Sequence, residues 1–137
     1  MVQRNVSVAD IKNEIAQKNG YWGYHLILDC AGCNKNKITD KKNLIQFINV
    51  LVSAIDMKAF GKPVVEHFAE HDLDKAGFSL VQLIETSSIT GHFVDKNGDA
   101  YLDIFSCKEF DIEMVKKVID RFFEPQKIKV CYLTRQA

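Results

Sequence analysis

The sequence is poor in the features that define several large classes of protein. No apolar run approaches the roughly 20 residues that a membrane-spanning helix requires. Only 2 prolines and 7 glycines are present, and no low-complexity segment or Pro/Gly-rich linker interrupts the chain. Net charge is also absent, because 18 Lys and Arg residues balance 18 Asp and Glu residues. We therefore expect neither a membrane partner nor a basic face for nucleic acid.

Length and composition favour a compact enzyme or binding domain. At 137 residues, 47% of them hydrophobic, the chain is long enough for a real core, and residues 1–137 are predicted to form a single domain. The first residues, Met1–Ser7, are too polar for a secretory signal. We expect a cytoplasmic location, where the four cysteines would stay reduced.

Apolar residues recur at helical spacing in two segments: a helix that Asp40 opens, with an apolar face from Leu44 to Ile55, and a second helix over residues 111–123. A shorter helix over residues 8–18 would be capped by Ser7. Strands are predicted over residues 24–30, 63–68, 78–86, 88–94, 100–106 and 127–134. This pattern predicts an α+β fold, a two-layer α/β sandwich whose largely antiparallel sheet packs its helices on one face.

A serine, a histidine and a cysteine lie on the two strands of a predicted hairpin. Ser87 and His92 lie on the first strand, Cys107 ends the second, and the turn contains Asn97-Gly98, a strong hairpin signal. Such a hairpin would bring the three side chains into one region. They could serve as nucleophile, proton-transfer group and proton donor. The structural alternative is that each is an ordinary strand or core residue.

Three stretches resemble the short, prokaryotic-type S-adenosylmethionine decarboxylase proenzymes. The family pattern reads approximately G-x-H-L-[IV]-x-D-x-x-G-C, then E-S-H-x-x-x-H, then D-[IVL]-F-[TS]-C. Here the corresponding stretches are Gly23–Cys33, Ser87–His92 and Asp103–Cys107. In the same register the family's second serine is Ser79, eight residues before Ser87. The similarity extends over roughly residues 23–135, and the family's two-layer sandwich agrees with the predicted fold.

The resemblance implies that the chain cleaves itself at the Thr86–Ser87 bond. The Ser87 hydroxyl would attack the carbonyl of Thr86, and the amide would become an ester. His92 would help to remove the α proton of Ser87 so that the ester eliminates, and Ser79 would assist this processing. The products would be a β chain, 1–86, and an α chain, 87–137, which carries a pyruvoyl group made from Ser87.

The same resemblance implies a decarboxylase of polyamine synthesis that needs no external cofactor. The pyruvoyl group would form a Schiff base with the substrate amine and accept electrons as carbon dioxide leaves. Cys107 would be the proton donor. The default substrate is S-adenosylmethionine, and members commonly form homodimers with active sites near the interface.

Several positions depart from the family pattern. Thr86 and Ser88 replace the Glu and His that flank the cleaved serine, which makes slow or absent processing an open alternative. Leu73 replaces a phenylalanine, Val94 a tryptophan and Lys96 a glutamate. Since stacking on an aromatic face is worth about 1–3 kcal/mol per base, we expect weaker adenosine recognition.

Two alternatives to the default substrate and activity therefore remain. In the first, acids in the stretch 66–74 would hold the distal cation of ornithine or arginine. In the second, the chain is an unprocessed, non-catalytic binding or regulatory subunit. The substrate-binding candidates are Asp72, Leu73, Asp74, Glu85 and Val94.

Two pairs of residues could suggest a metal or redox site. Cys30 and Cys33 form a CxxC, but no second CxxC accompanies it. His67 and His71 are four residues apart on a strand-to-loop segment, where both rings would not face one side. We expect no metal site.

Overall fold

A computed structural model describes Ser7, Val8 and residues 20–137, so the predicted helix over residues 8–18 lies almost entirely outside the described part. The elements are β1 (Gly23–Ala31), α1 (Lys35–Ile38), α2 (Lys41–Ala54), β2 (Ala59–Phe68), β3 (Gly77–Ile84), β4 (Ser87–Phe93), β5 (Ala100–Ser106), α3 (Ile112–Phe123) and β6 (Lys127–Arg135). Within the described residues no helix is long and apolar enough to cross a membrane.

The six strands form one sheet in the order β2-β3-β4-β5-β1-β6, and all neighbours are antiparallel. The predicted hairpin joins β4 to β5 through a turn in which the Val94 amide donates to the carbonyl of Asp99 at 2.7 Å. Gly98 has a φ of 80°, and a Cβ there would lie 2.6 Å from the Cys33 carbonyl oxygen. Only glycine fits this turn without strain, which confirms the Asn-Gly prediction.

The helices cover one face of the sheet and create the core. Asp40 and Asp111 cap α2 and α3, each accepting hydrogen bonds from the first turn, so both predicted helix starts are confirmed. The ring of Phe123 lies 4.4 Å from that of Phe47 and 5.1 Å from that of Phe93, measured between centroids. These contacts join α2, α3 and the sheet, and the predicted two-layer α+β sandwich is confirmed.

The opposite face of the sheet carries no helix of the described chain. Large apolar side chains are exposed along it, including Phe60, Val64, Val81 and Leu83. Side chains of residues directly opposite each other in an antiparallel pair share a face. Because Ser79 pairs with His92 and alternates with buried Leu80, both polar residues lie on this open face.

Strand β2 differs from the prediction because it begins at Ala59 rather than Pro63. Its pairing with β3 shifts register between Phe60 and Val64, where Gly61 has a φ of 70°. Such a bulge breaks the alternation of apolar and polar residues, and the sequence pattern therefore hides the first part of the strand.

Candidate active site

The predicted scissile bond and the predicted proton donor lie together at one end of the sheet. Ser87 opens β4 opposite Ser106, and Cys107 directly follows Ser106 at the end of β5. The backbone amide of Cys107 donates a 2.9 Å hydrogen bond to the carbonyl oxygen of Thr86, the carbonyl of the Thr86–Ser87 bond. The Cys107 side chain is exposed. A polarised carbonyl and an accessible thiol therefore lie close together.

The backbone at Ser87 has an unusual conformation. Its φ is 152°, in a region of backbone conformation that residues other than glycine rarely adopt. Residues held in such regions cost on the order of 1–3 kcal/mol and persist only where their surroundings hold them. The chain is thus strained at the residue that the motif predicts as the point of cleavage.

A buried hydroxyl chain holds Thr86 in place. The Ser106 hydroxyl donates to Thr86 Oγ1 at 2.8 Å and accepts from the Lys108 amide at 3.0 Å. Thr86 Oγ1 donates in turn to Met57 Sδ at 3.2 Å, and Ser106 is fully buried. Sequence reasoning gave Ser106 no role, because its position in the motif does not show which side chain it would contact.

Ser79 and His92 form a second polar pair. Ser79 Oγ lies 2.8 Å from His92 Nδ1, and His92 Nε2 lies 2.9 Å from the carbonyl oxygen of Lys75. A carbonyl only accepts, so His92 Nε2 carries a proton and donates to it, while Nδ1 is within hydrogen-bond distance of the serine hydroxyl. The two residues predicted to assist processing are therefore neighbours, with the imidazole oriented through both nitrogens.

The Ser79–His92 pair and the Ser87–Cys107 pair lie far apart within one chain. His92 lies five residues beyond Ser87 on β4, which corresponds to about 17 Å at the usual rise of a strand. The register pairs Ser79 with His92 at one end of the strand, whereas Ser87 and Cys107 lie at the other. The expectation that one hairpin gathers all three side chains is therefore not met within a single chain.

Three of the substrate-binding candidates lie on the turn between β2 and β3. The Leu73 side chain is 76% exposed. The Asp74 carboxylate forms an ion pair with Lys96, and a carboxylate oxygen of Asp72 lies 3.9 Å from Lys75 Nζ. A lysine already lies beside each of these two aspartates, so neither offers an unpaired negative charge to a second cation.

The other two candidates lie elsewhere. Val94 is buried and cannot present a face to a ligand. Glu85 lies near the scissile bond, 3.3 Å from Lys58 Nζ. Neither residue has an aromatic ring on which a base could stack.

The surroundings of Cys30, Cys33 and His67 are typical of residues with a structural role. Burial raises the pKa of Cys30 to about 12 and that of Cys33 to about 11, so both thiols stay protonated and unreactive. The hydrogen bond to Asp95 raises the pKa of His67, whose other ring nitrogen lies 3.1 Å from Glu70. Among residues 7, 8 and 20–137, no group of three or more His, Cys, Asp or Glu residues is arranged to hold a metal ion.

The fold and this site define an α+β sandwich with an internal serine at a strained, polarised peptide bond. Residues 24–136 match the S-adenosylmethionine decarboxylase family, and the chain belongs to that family.

Relatives agree with this assignment. The chain is 32% identical over 113 residues to an S-adenosylmethionine decarboxylase proenzyme of Clostridium botulinum strain Hall, covering 82% of this chain and 81% of the relative. It is 30% identical over 114 residues to a proenzyme of the same description from Methanococcus vannielii, covering 82% and 88%. The crystal structure of the adenosylmethionine decarboxylase from Aquifex aeolicus VF5 is similar in fold, with a TM-score of 0.71 at 19% identity over 85% of this chain and 92% of that one.

Proposed function

We propose that this protein is a self-processing, pyruvoyl-dependent decarboxylase that acts on S-adenosylmethionine and supplies polyamine synthesis. The observation that carries the proposal is the Thr86–Ser87 bond, where the Cys107 amide hydrogen bond and the strained φ of Ser87 coincide. Membership of the decarboxylase family supports the same reading. The products would be the chains 1–86 and 87–137.

The first step follows from the contacts at this bond. Ser87 Oγ attacks the carbonyl carbon of Thr86 and loses its proton, and negative charge grows on the carbonyl oxygen. The Cys107 amide already donates to that oxygen, so it stabilises the developing charge without rearrangement. The carbon–nitrogen bond then breaks, the Ser87 nitrogen takes up a proton, and an ester replaces the amide. Release of the strain at Ser87 favours this direction.

The second step needs a base near the α carbon of Ser87. His92 would remove the α proton, the Cβ–O bond would break, and Thr86 would leave as a carboxylate. The dehydroalanine that remains at residue 87 would rearrange to an imine, and water would hydrolyse it to the pyruvoyl group with release of ammonia. His92 of the same chain lies about 17 Å along β4, too far for this task.

A second copy of the chain could supply the Ser79–His92 pair that Ser87 lacks within its own chain. The open sheet face exposes a row of large apolar side chains, which is typical of an interaction surface. In a two-fold dimer each contact occurs twice, so Ser79 and His92 of one protomer could serve Ser87 and Cys107 of its partner at two equivalent sites. We therefore propose a homodimer whose active sites contain residues of both protomers.

The pyruvoyl group, once made, supplies an electron sink for decarboxylation. Cys107 would donate a proton to the substrate carbon, and its exposed thiol, directly after Ser106 and beside residue 87, supports this role. Ornithine and arginine are less suited as substrates, since the two aspartates of the β2–β3 turn, Asp72 and Asp74, each already lie beside a lysine. The proposal includes a cytoplasmic location, with no membrane or nucleic-acid partner.

A substrate panel tests this proposal. We expect processed protein to release carbon dioxide from carboxyl-labelled S-adenosylmethionine and not from ornithine or arginine, since the family and the paired acids both point this way. The Ser87→Ala variant is the control and should release none. Release from a basic amino acid alone would contradict the proposed substrate.

The Ser106 hydroxyl chain predicts an effect on self-cleavage. Replacing Ser106 by alanine removes the bond that holds Thr86, a loss of about 1–1.5 kcal/mol that should slow self-cleavage roughly 10-fold. The measurement is the rate at which the uncut species disappears, with thermal unfolding beside it. Ser106→Thr keeps the hydroxyl and should cleave at close to the parent rate, and an equally slow Thr variant would argue against the hydroxyl as the cause.

A further inference from the structure

An aromatic groove lies beside the end of the sheet that carries Ser87. It has a volume of about 440 Å³ and is lined by Trp22, Phe105, Arg135, Gln136 and Ala137. The Trp22 side chain is 58% exposed, and its ring centroid lies 6.0 Å from that of Phe105 with the planes tilted by 42°. The described contacts leave much of the indole open to a ligand.

Two contacts hold this groove in shape. The Trp22 amide donates to Gln136 Oε1 at 3.0 Å, which ties the start of β1 to the residues that follow β6. The Arg135 guanidinium carbon lies 5.0 Å from the centroid of the Phe105 ring, a cation–π arrangement. The groove therefore combines two aromatic rings with a fixed cation.

The sheet register places the groove next to the cleavage point. Phe105 is directly opposite Ser88, the neighbour of Ser87, and lies two residues before Cys107. Paired Cα atoms in an antiparallel sheet are about 4.5–5.5 Å apart. Once residue 87 becomes a chain terminus, a ligand that reaches it could extend a flat ring system onto Trp22.

We infer that the Trp22–Phe105 groove binds the adenine ring of the S-adenosyl substrate. The inference rests on the proposed decarboxylase function and adds its base-recognition site. Leu73 and Val94, at the positions where the family has aromatic residues, offer no platform, whereas Trp22 presents an open face. Guanidinium donors of Arg135 suit the acceptor nitrogens of adenine and the ribose oxygens.

The same groove disfavours a basic amino acid. A second cation near the Phe105 ring would meet the like charge of Arg135, which is already placed there. A neutral aromatic base meets no such repulsion. The groove therefore selects a nucleoside over the distal ammonium or guanidinium group of ornithine or arginine.

Fluorescence provides a direct test, because Trp22 is the single tryptophan of the sequence. Titrating the full chain with 5′-methylthioadenosine, an adenosine thioether without the amino-acid part, should change the indole emission in a saturable way. Ornithine at equal concentration should cause no change. A nucleoside titration that leaves the emission unchanged would overturn the inference, whether or not the chain is cleaved.

Kinetics of matched variants separate this inference from the proposed function. Trp22→Ala should raise KM for S-adenosylmethionine about 10-fold or more, while kcat changes less and self-cleavage by intact mass is unchanged. Trp22→Phe keeps an aromatic face, so its KM should lie between that of the parent and that of Trp22→Ala. Tyr21→Ala, which alters the adjacent aromatic residue outside the groove, should match the parent. If the Trp22→Ala variant still cleaves itself and its KM is unchanged, the proposed decarboxylase function stands, and the inference that the groove binds adenine is wrong.

Discussion

The Ser87→Ala variant should remain a single uncut species close to 15.6 kDa. Without the hydroxyl, no group at residue 87 can attack the Thr86 carbonyl, so neither ester nor fragments can form. The parent should instead separate into residues 1–86 and 87–137. The second fragment should be lighter than its sequence by the change from serine to pyruvoyl. Denatured intact mass of freshly purified protein measures both outcomes.

The neighbouring serine provides a matched control. Ser88 lies one position further along β4, opposite Phe105, so Ser88→Ala should cleave like the parent. Fragments from Ser87→Ala would show that another residue performs the attack. A parent that stays whole on long incubation would contradict self-processing and favour the non-catalytic subunit, the alternative that Thr86 and Ser88 left open.

Mixing two inactive variants should restore cleavage. His92→Ala alone should stall as the ester, because the base that removes the α proton is lost, and Ser87→Ala alone cannot start. In a mixed dimer, however, the Ser87→Ala protomer still offers His92 to the intact Ser87 of its partner. With equal amounts and random pairing, roughly half of the His92→Ala chains should be cut.

Coexpression with tags of different mass makes this experiment readable by intact mass. The control pairs His92→Ala with a Ser87→Ala/His92→Ala double variant, which offers no histidine and should restore nothing. If both single variants form mixed dimers and no fragments appear, the complete site lies within one chain. That result would require β4 to bend far from the extended strand that separates the pairs here.

Local signals predicted much of the fold because they act over a few residues. Asp40 and Asp111 each stand at the start of an apolar repeat of helical period, and the helices begin there with their apolar faces buried, as expected. Asn97-Gly98 predicted the β4–β5 turn since few other residues adopt a positive φ. The early part of β2 gave no such signal, because its bulge breaks the period.

The sequence by itself determined which reactive groups are present: a hydroxyl at residue 87, an imidazole at 92 and a thiol at 107, in a spacing typical of one family. Only the tertiary structure decided which of these residues contact each other. Strand register paired Ser79 with His92 and set the Cys107 amide against the Thr86 carbonyl. It also brought Trp22 beside Phe105, two residues that are distant in the chain. The reason is physical: a shift of one residue in register turns every side chain of a strand to the other face, and interactions across the sheet, rather than neighbours in sequence, select that register.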